Sequence, residues 1–256
     1  MNISWQTRFE IKQDRWVYVP SDESLEFGYE VKRFLEKKWI APSYFYHLNV
    51  GGHVKLVDDV KKFKYFSKFD FENFFSQVTK NRISRCLKDY MSYERALEIA
   101  TRSTVRCGDS HSVPYGFPQS MILASMVLDH TRLHKYIDKK LRPNGFFVGI
   151  YVDDIILAGN DPEKLRVVSE EFELVALQAN LKFSEKKSVC VQKKITSFNI
   201  DIENSMVKIA YPRFEQFVKR IQTTDNAFTK LAIKGYVEKV NSCQANHLST
   251  IGNLNK

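Results

Sequence analysis

Phe146-Phe-Val-Gly-Ile-Tyr-Val-Asp-Asp-Ile-Ile-Leu157 sets two adjacent carboxylates, Asp153 and Asp154, between two apolar runs. Both runs are short and rich in aromatic and β-branched residues, so the stretch predicts two strands joined by a tight turn near Val152 to Asp154. Carboxylates between apolar strands are unfavourable unless a cation or donors compensate them. An isolated Asp-Asp pair is ordinarily a solvated turn, which is the reading given to Asp58-Asp59. The apolar flanks separate Asp153-Asp154 from that case.

A third carboxylate stands in the same setting upstream. Tyr65-Phe-Ser-Lys-Phe-Asp-Phe71 predicts a buried strand ending at Asp70, 83 positions before Asp153. Three carboxylates suit two magnesium ions, with manganese as a substitute. Magnesium takes oxygen ligands and leaves positions for phosphate oxygens, and a two-ion clamp steadies both oxygens of an in-line displacement.

Around these strands the chain alternates element types. Arg15 to Pro20 reads as extended, and Ser21 or Asp22 caps a helix over LEFGYEVKRFLEKKW. A basic stretch follows Gly51-Gly52, and Gln77 to about Ala100 has helical periodicity. Gly108 to Gly116 reads as a loop, Phe117 to Leu141 as one long helix, and Pro162 to Leu177 as an amphipathic helix. A strand is expected within Leu181 to Val191, a hairpin over Ile195 to Tyr211, and two helices in the tail. This order lacks βαβαβ spacing and a glycine-rich phosphate loop, so it favours an α+β palm, an antiparallel sheet backed by helices, over a doubly wound fold.

The chain has 256 residues and 43% hydrophobic content, enough for a sizeable core. Its 39 Lys and Arg against 30 Asp and Glu give a net charge of +9, which favours a polyanionic partner. Cys86, Cys107, Cys190 and Cys243 are far apart, which argues against a zinc ribbon or disulfide framework and fits reduced thiols in a cytoplasmic protein. The opening residues carry no apolar leader, and no run of about 18 apolar residues occurs, so no membrane partner is expected. His47, His53, His111, His130, His134 and His247 are scattered and read as satisfied or exposed rather than as ligands.

Tyr151-Val-Asp-Asp154, KFDFENFF around Asp70 and Gly116-Phe-Pro-Gln119 occur in the order and spacing that resemble the reverse transcriptase family. The resemblance runs from about Arg15 to Ile202. The FYHLNVGGHVKL stretch is similar to bacterial defence-associated "unknown group" reverse transcriptases, with retron enzymes as second choice.

The resemblance implies a right-hand polymerase fold: fingers over 1–60, a palm with an interleaved fingers segment over 61–211, and a short thumb-like tail over 212–256. It implies RNA-templated DNA synthesis from deoxynucleotides by a two-metal mechanism, in antiphage defence. Asp70, Asp153, Asp154 and the Phe71 carbonyl would hold the metals, and Lys187 would protonate or neutralise the leaving pyrophosphate. Phe75 falls at the steric gate against a 2′-hydroxyl, Gln119 beside the nascent base pair, and Arg15 at the triphosphate with Lys12 as a lesser candidate. Tyr151 and Pro118 fall along primer and template.

Three departures stand out. Ser120 replaces a glycine common after the Gln, Ser125 a common proline, and Phe198-Asn-Ile200 a Phe-Leu-Gly turn that grips the primer. With the short tail, they leave room for template-independent nucleotide addition, for a non-catalytic RNA-binding scaffold, or for a structured RNA or second subunit that completes the cleft.

Overall fold

The computed structural model describes residues 5–12 and 15–252. The first positions of the opening segment read above as lacking a leader, and the outer ends of the expected fingers and tail segments, lie outside the described residues. In chain order the elements are β1 (Trp5–Lys12), β2 (Arg15–Pro20), α1 (Asp22–Lys38), α2 (Gly52–Val60), β3 (Tyr65–Asp70), α3 (Phe74–Gln77), α4 (Lys80–Leu87) and α5 (Tyr93–Arg102). Next come β4 (Val105–Cys107), β5 (Ser110–Ser112), α6 (Ser120–Asp129), α7 (Arg132–Tyr136), β6 (Phe147–Tyr151), β7 (Asp154–Gly159) and α8 (Pro162–Gln178). The chain continues through β8 (Val189–Gln192), β9 (Lys194–Ser197), β10 (Ile200–Glu203) and β11 (Met206–Ile209) to α9 (Tyr211–Thr223), α10 (Ala227–Val240) and α11 (Ser242–Ile251). The class is α+β, with antiparallel pairing in β1–β2, β4–β5, β6–β7, β3–β8 and β9–β10–β11. No helix among the described residues is long and apolar enough to cross a membrane.

Two interleaved compact units make up the chain. The first comprises Met1–Phe45, Asp70–Lys140 and Phe172–Ser184. Its helix α1 starts where expected: the Ser21 hydroxyl accepts from the Ser24 N–H at 3.3 Å, acidic Asp22 and Glu23 occupy the first turn, and Lys37 and Lys38 the last. Phe27, Val31 and Leu35, at helical spacing, form its buried face. Helix α6 is apolar all round and buried from Ile122 to Leu128. Gly116, at φ 104°, lets the chain pass Tyr18, whose N–H donates to the Tyr115 carbonyl at 2.9 Å; a Cβ there would strike the Tyr18 carbonyl oxygen.

Several expectations are corrected here. The long helix expected from Phe117 to Leu141 is broken, because Thr131 ends α6 by donating to the Leu128 carbonyl and starts α7 by accepting from Leu133. A π-helical turn then covers Ile137–Leu141. Part of the loop expected over 108–116 is a short hairpin, with Cys107 opposite Ser110 around Gly108 and Asp109.

The second unit comprises Tyr46–Phe69, Leu141–Glu171 and Glu185–Lys256. It holds a four-stranded sheet in the order β6-β7-β3-β8 and the three-stranded meander β9–β10–β11, where the sequence suggests a single hairpin. Its core joins Leu56, Val60, Phe66, Ile156, Ile202 and Leu248, with others that include residues of β9, β11, α9 and α10. Each fully buried side chain of this size contributes roughly 1.5–3 kcal/mol. The stretch after Gly52 opens as α2, whose apolar face Leu56, Val57 and Val60 is buried, and Lys61, Lys62 and Lys64 follow the helix. Asp58 and Asp59 are therefore helical, paired with Lys61 and Lys55, and not a turn. The strand expected within 181–191 shrinks to one bridge at Phe183 plus β8. Among the described residues the tail carries three helices where the sequence suggests two; Asn241 ends α10 and caps α11 by accepting from the Gln244 N–H at 2.9 Å.

Candidate active site

The Asp-Asp hairpin forms as its sequence demands. Phe147 pairs with Ala158, and the ladder runs to Tyr151 opposite Asp154, leaving Val152 and Asp153 as a two-residue turn. Ile150, Ile155, Ile156 and Leu157 are fully buried, three of them in succession, so the hairpin is covered on both faces. Asp153 and Asp154 are half-buried at the end of that apolar ladder. Val152 stands at φ 59°. A β-branched residue is rarely found there, and such backbone strain persists only where its surroundings hold it.

His47 meets this turn. The Val152 N–H donates to His47 Nδ1 at 3.0 Å, while the Ile150 carbonyl lies 3.4 Å from the same nitrogen. One nitrogen cannot accept from the first and donate to the second, and the shorter contact makes Nδ1 the acceptor of a neutral ring. Burial pushes the His47 pKa down to about 4, against the opposing pull of the Ile150 carbonyl, so the ring is neutral at pH 7.

On β3, two positions before Asp70, Lys68 places its ammonium 3.2 Å from the Asp154 carboxylate and 3.4 Å from the Thr196 carbonyl oxygen. The pair shows that the end of β3 lies beside the start of β7. By strand alternation Lys68 and Asp70 share a face. Asp70 closes β3 and is 5% exposed, and its carbonyl accepts from the Ser184 N–H at 2.8 Å. The next residue, Phe71, faces Phe183 across a bridge whose bonds are made by its neighbours, Asp70 and Glu72. That pattern turns the Phe71 carbonyl away from the Phe183 strand. The Phe71 ring is packed between Phe74 at 5.0 Å and Phe183 at 4.7 Å.

Among the described residues, no group of three or more His, Cys, Asp or Glu side chains is gathered to hold a metal ion, and Asp154 is compensated by Lys68. The donor chemistry of the nominated residues nonetheless fits magnesium or manganese. Asp70, Asp153, Asp154 and the Phe71 carbonyl offer oxygen alone, and a cation would relieve the half-buried carboxylates as the ammonium does now.

The first unit brings Phe75 and Arg15 together. Both line a small cavity of about 60 Å³ with Tyr115, whose ring stacks on Phe75 at 4.6 Å and lies beneath the Arg15 guanidinium at 5.0 Å. Lys12 lies exposed at the end of β1. Gln119, expected beside the nascent base pair, also lies in the first unit. It is fully buried, donates to the Ser103 hydroxyl at 3.1 Å, and packs its Oε1 against Gly28, where a Cβ would collide with it. Half-buried Pro118 precedes α6 by two residues instead of starting it.

In the second unit Tyr151 sits in an aromatic enclosure of His47, His53 and Phe198, at 6.0, 5.6 and 5.2 Å. The enclosure opens into a groove of about 570 Å³ that also reaches Arg213 and Tyr236. Phe198 and Asn199 form a two-residue turn without glycine, at φ 56° and 59°. Lys187 and Lys186 are exposed ahead of β8.

Sequence reading missed His47 and Lys68. Alternation from Asp70 was the available signal for Lys68; His47 had none, since its partner lies 105 residues away.

A family model described as "Reverse transcriptase (RNA-dependent DNA polymerase)" matches residues 13–202. Among solved structures, the chain is similar to the foamy viral protease-reverse transcriptase in complex with double-stranded DNA, at TM-score 0.50 and 17% identity over 90% of this chain and 36% of that one. It is also similar to Candida albicans telomerase in complex with a fragment of telomeric RNA, at TM-score 0.54 and 10% identity over 89% and 47%. The apo telomerase of Candida tropicalis gives TM-score 0.50 and 12% identity over 87% and 43%. At these identities the likeness is one of fold, and the chain spans between a third and a half of those proteins' lengths. No curated protein sequence matches it.

Proposed function

Because this chain belongs to the reverse transcriptase (RNA-dependent DNA polymerase) family, we propose that it extends a primer with deoxynucleotides along an RNA template. The observation that carries this reading is the hairpin bearing Asp153 and Asp154, with Asp70 closing the adjacent strand of the same sheet. In the reaction the primer 3′ oxygen bonds to the α-phosphorus, the bond to the β-phosphate oxygen breaks, and pyrophosphate leaves. Bound magnesium supplies electrostatic stabilisation of the attacking and leaving oxygens. Asp70, Asp153, Asp154 and the Phe71 carbonyl would hold it, with Asp154 drawn from its pairing with Lys68.

Phe75 and Tyr115 form the wall against which the sugar sits, and a 2′-hydroxyl meets the Phe75 ring. Arg15 offers paired donors to the triphosphate. Lys187 neutralises pyrophosphate, and Tyr151 with Phe198 carries the primer end into the aromatic groove. Gln119, given its burial, acts by fixing the Gly116–Gln119 loop. In this reading fingers, palm and a short thumb take the segments 1–60, 61–211 and 212–256. A defence-associated subgroup, a role against phage, cytoplasmic residence and an RNA or protein partner completing the cleft extend the reading from sequence resemblance and charge.

The test is primer extension with magnesium, labelled dNTPs or rNTPs and RNA or DNA templates, alongside Asp153→Ala. Template-directed dNTP incorporation that Asp153→Ala abolishes is the expected result. Incorporation indifferent to template would mean untemplated addition, RNA binding without incorporation a scaffold, and an active Asp153→Ala a misassigned site.

A further inference from the structure

We propose that His47 is a positioning residue for the Asp153-Asp154 turn: its Nδ1, by accepting the Val152 N–H, holds Val152 at positive φ and so aims the two carboxylates. The inference rests on the function proposed above. The donor belongs to the one residue of the turn that backbone sterics disfavour, and the acceptor comes from a half-buried ring anchored on the 3₁₀ turn Tyr46–Leu48. The Tyr151 ring packs edge-on against His47 at 6.0 Å, so the same imidazole contacts two consecutive residues leading into the turn. Without an acceptor the Val152 N–H is left unsatisfied in a half-buried setting, a cost that is relieved if the turn relaxes and the carboxylates shift.

The variants that test this are His47→Phe, which keeps a ring without an acceptor, and His47→Asn, whose Oδ1 can accept in place of Nδ1. With Asp153→Ala as control, the readouts are kcat and KM for dNTP and thermal stability. His47→Phe is expected to lower kcat about 30-fold with KM within about twofold, corresponding to about 2 kcal/mol, and His47→Asn to recover most of it. Wild-type kcat in His47→Phe, or equal losses in both variants that track stability, would overturn the inference. An active Asp153→Ala would instead overturn the assignment of the hairpin itself.

A second inference comes from a cleft of about 420 Å³ in the first unit, formed by α4, the junction of α6 and α7, and the end of α8. Arg82, Arg85 and Arg132 line it, and no acidic residue does. Arg82 is fixed by the carbonyls of Ala179 and Asn180, at 2.6 and 3.0 Å, while Arg85 and Arg132 make no ion pair among the described residues. The nearby Asp89 carboxylate is taken by His130 at 2.7 Å. Burial, and after it the charge of Arg85, press the Arg82 pKa down. The geometry points to a phosphate-binding cleft, for the backbone of an RNA strand or for a free polyphosphate.

The test compares wild type with Arg85→Ser/Arg132→Ser in binding a labelled single-stranded RNA and tripolyphosphate, over a salt series. Loss of two contacts should weaken RNA binding about tenfold and flatten the slope of log affinity against log salt by about 1.4. Loss of tripolyphosphate binding alone would identify the free ligand as the source. Unchanged binding of both probes would overturn the proposal.

Discussion

Two tight turns in the second unit invite comparison, Val152-Asp153 between β6 and β7 and Phe198-Asn199 between β9 and β10. Both carry positive φ without glycine. At the second, asparagine tolerates the conformation at one of the two positions, and at the other the Phe198 ring is held by packing on Tyr151 and His53. At the first, a valine has no such tolerance, and a histidine from a distant segment supplies the hydrogen bond. Strain that a sequence could have avoided with glycine, and that a remote residue supports, marks a place where exact side-chain position matters more than stability.

The comparison can be broken first at the carboxylates. Asp153→Asn should cut primer extension by about a thousandfold or more, whereas Asn199→Ser in the other turn should change it less than about fivefold. Steady-state rates on one primer–template check both.

The next effect is on pH. The His47 pKa is lowered in the fold to about 4 from the ordinary 6.5, so the neutral ring favours the folded state above pH 6.5. That contribution, roughly 2–3 kcal/mol at most, is lost as pH falls from 6.5 through 4. Denaturation at a series of pH values should show a steeper loss for the wild type than for His47→Asn over this window, and parallel curves would break the assignment.

Smaller still is the strain itself. Val152→Gly relieves an unfavourable φ but loosens the unfolded chain, for a net gain of about 0.5–1 kcal/mol, while Asn199→Gly should stay within about 0.5 kcal/mol of wild type. Urea midpoints compare the two. The mildest change belongs to Lys68→Met. Freed of the ammonium, Asp154 should take magnesium more readily, and the magnesium concentration for half-maximal activity should fall about two- to threefold, at a stability loss of about 1 kcal/mol. A raised magnesium requirement would mean that Lys68 supports the bound state instead.

The sequence by itself determined the Asp-Asp hairpin, the strand ending at Asp70 and the capped helix α1. Each rests on alternation, helical spacing or a cap within a few residues, which local sterics and burial enforce. It read less well where one hydroxyl decides the outcome, as at Thr131, where an apolar run that looks continuous becomes two helices. Only the tertiary structure set His47 on the Val152 amide, Lys68 on Asp154, Arg15 over Tyr115 beside Phe75, and Gln119 in a closed interior. Those contacts join segments tens of residues apart, and no local periodicity encodes them. The three aspartates could therefore be nominated from the chain, while the groups that aim and neutralise Asp153 and Asp154 emerged only when the chain was folded around them.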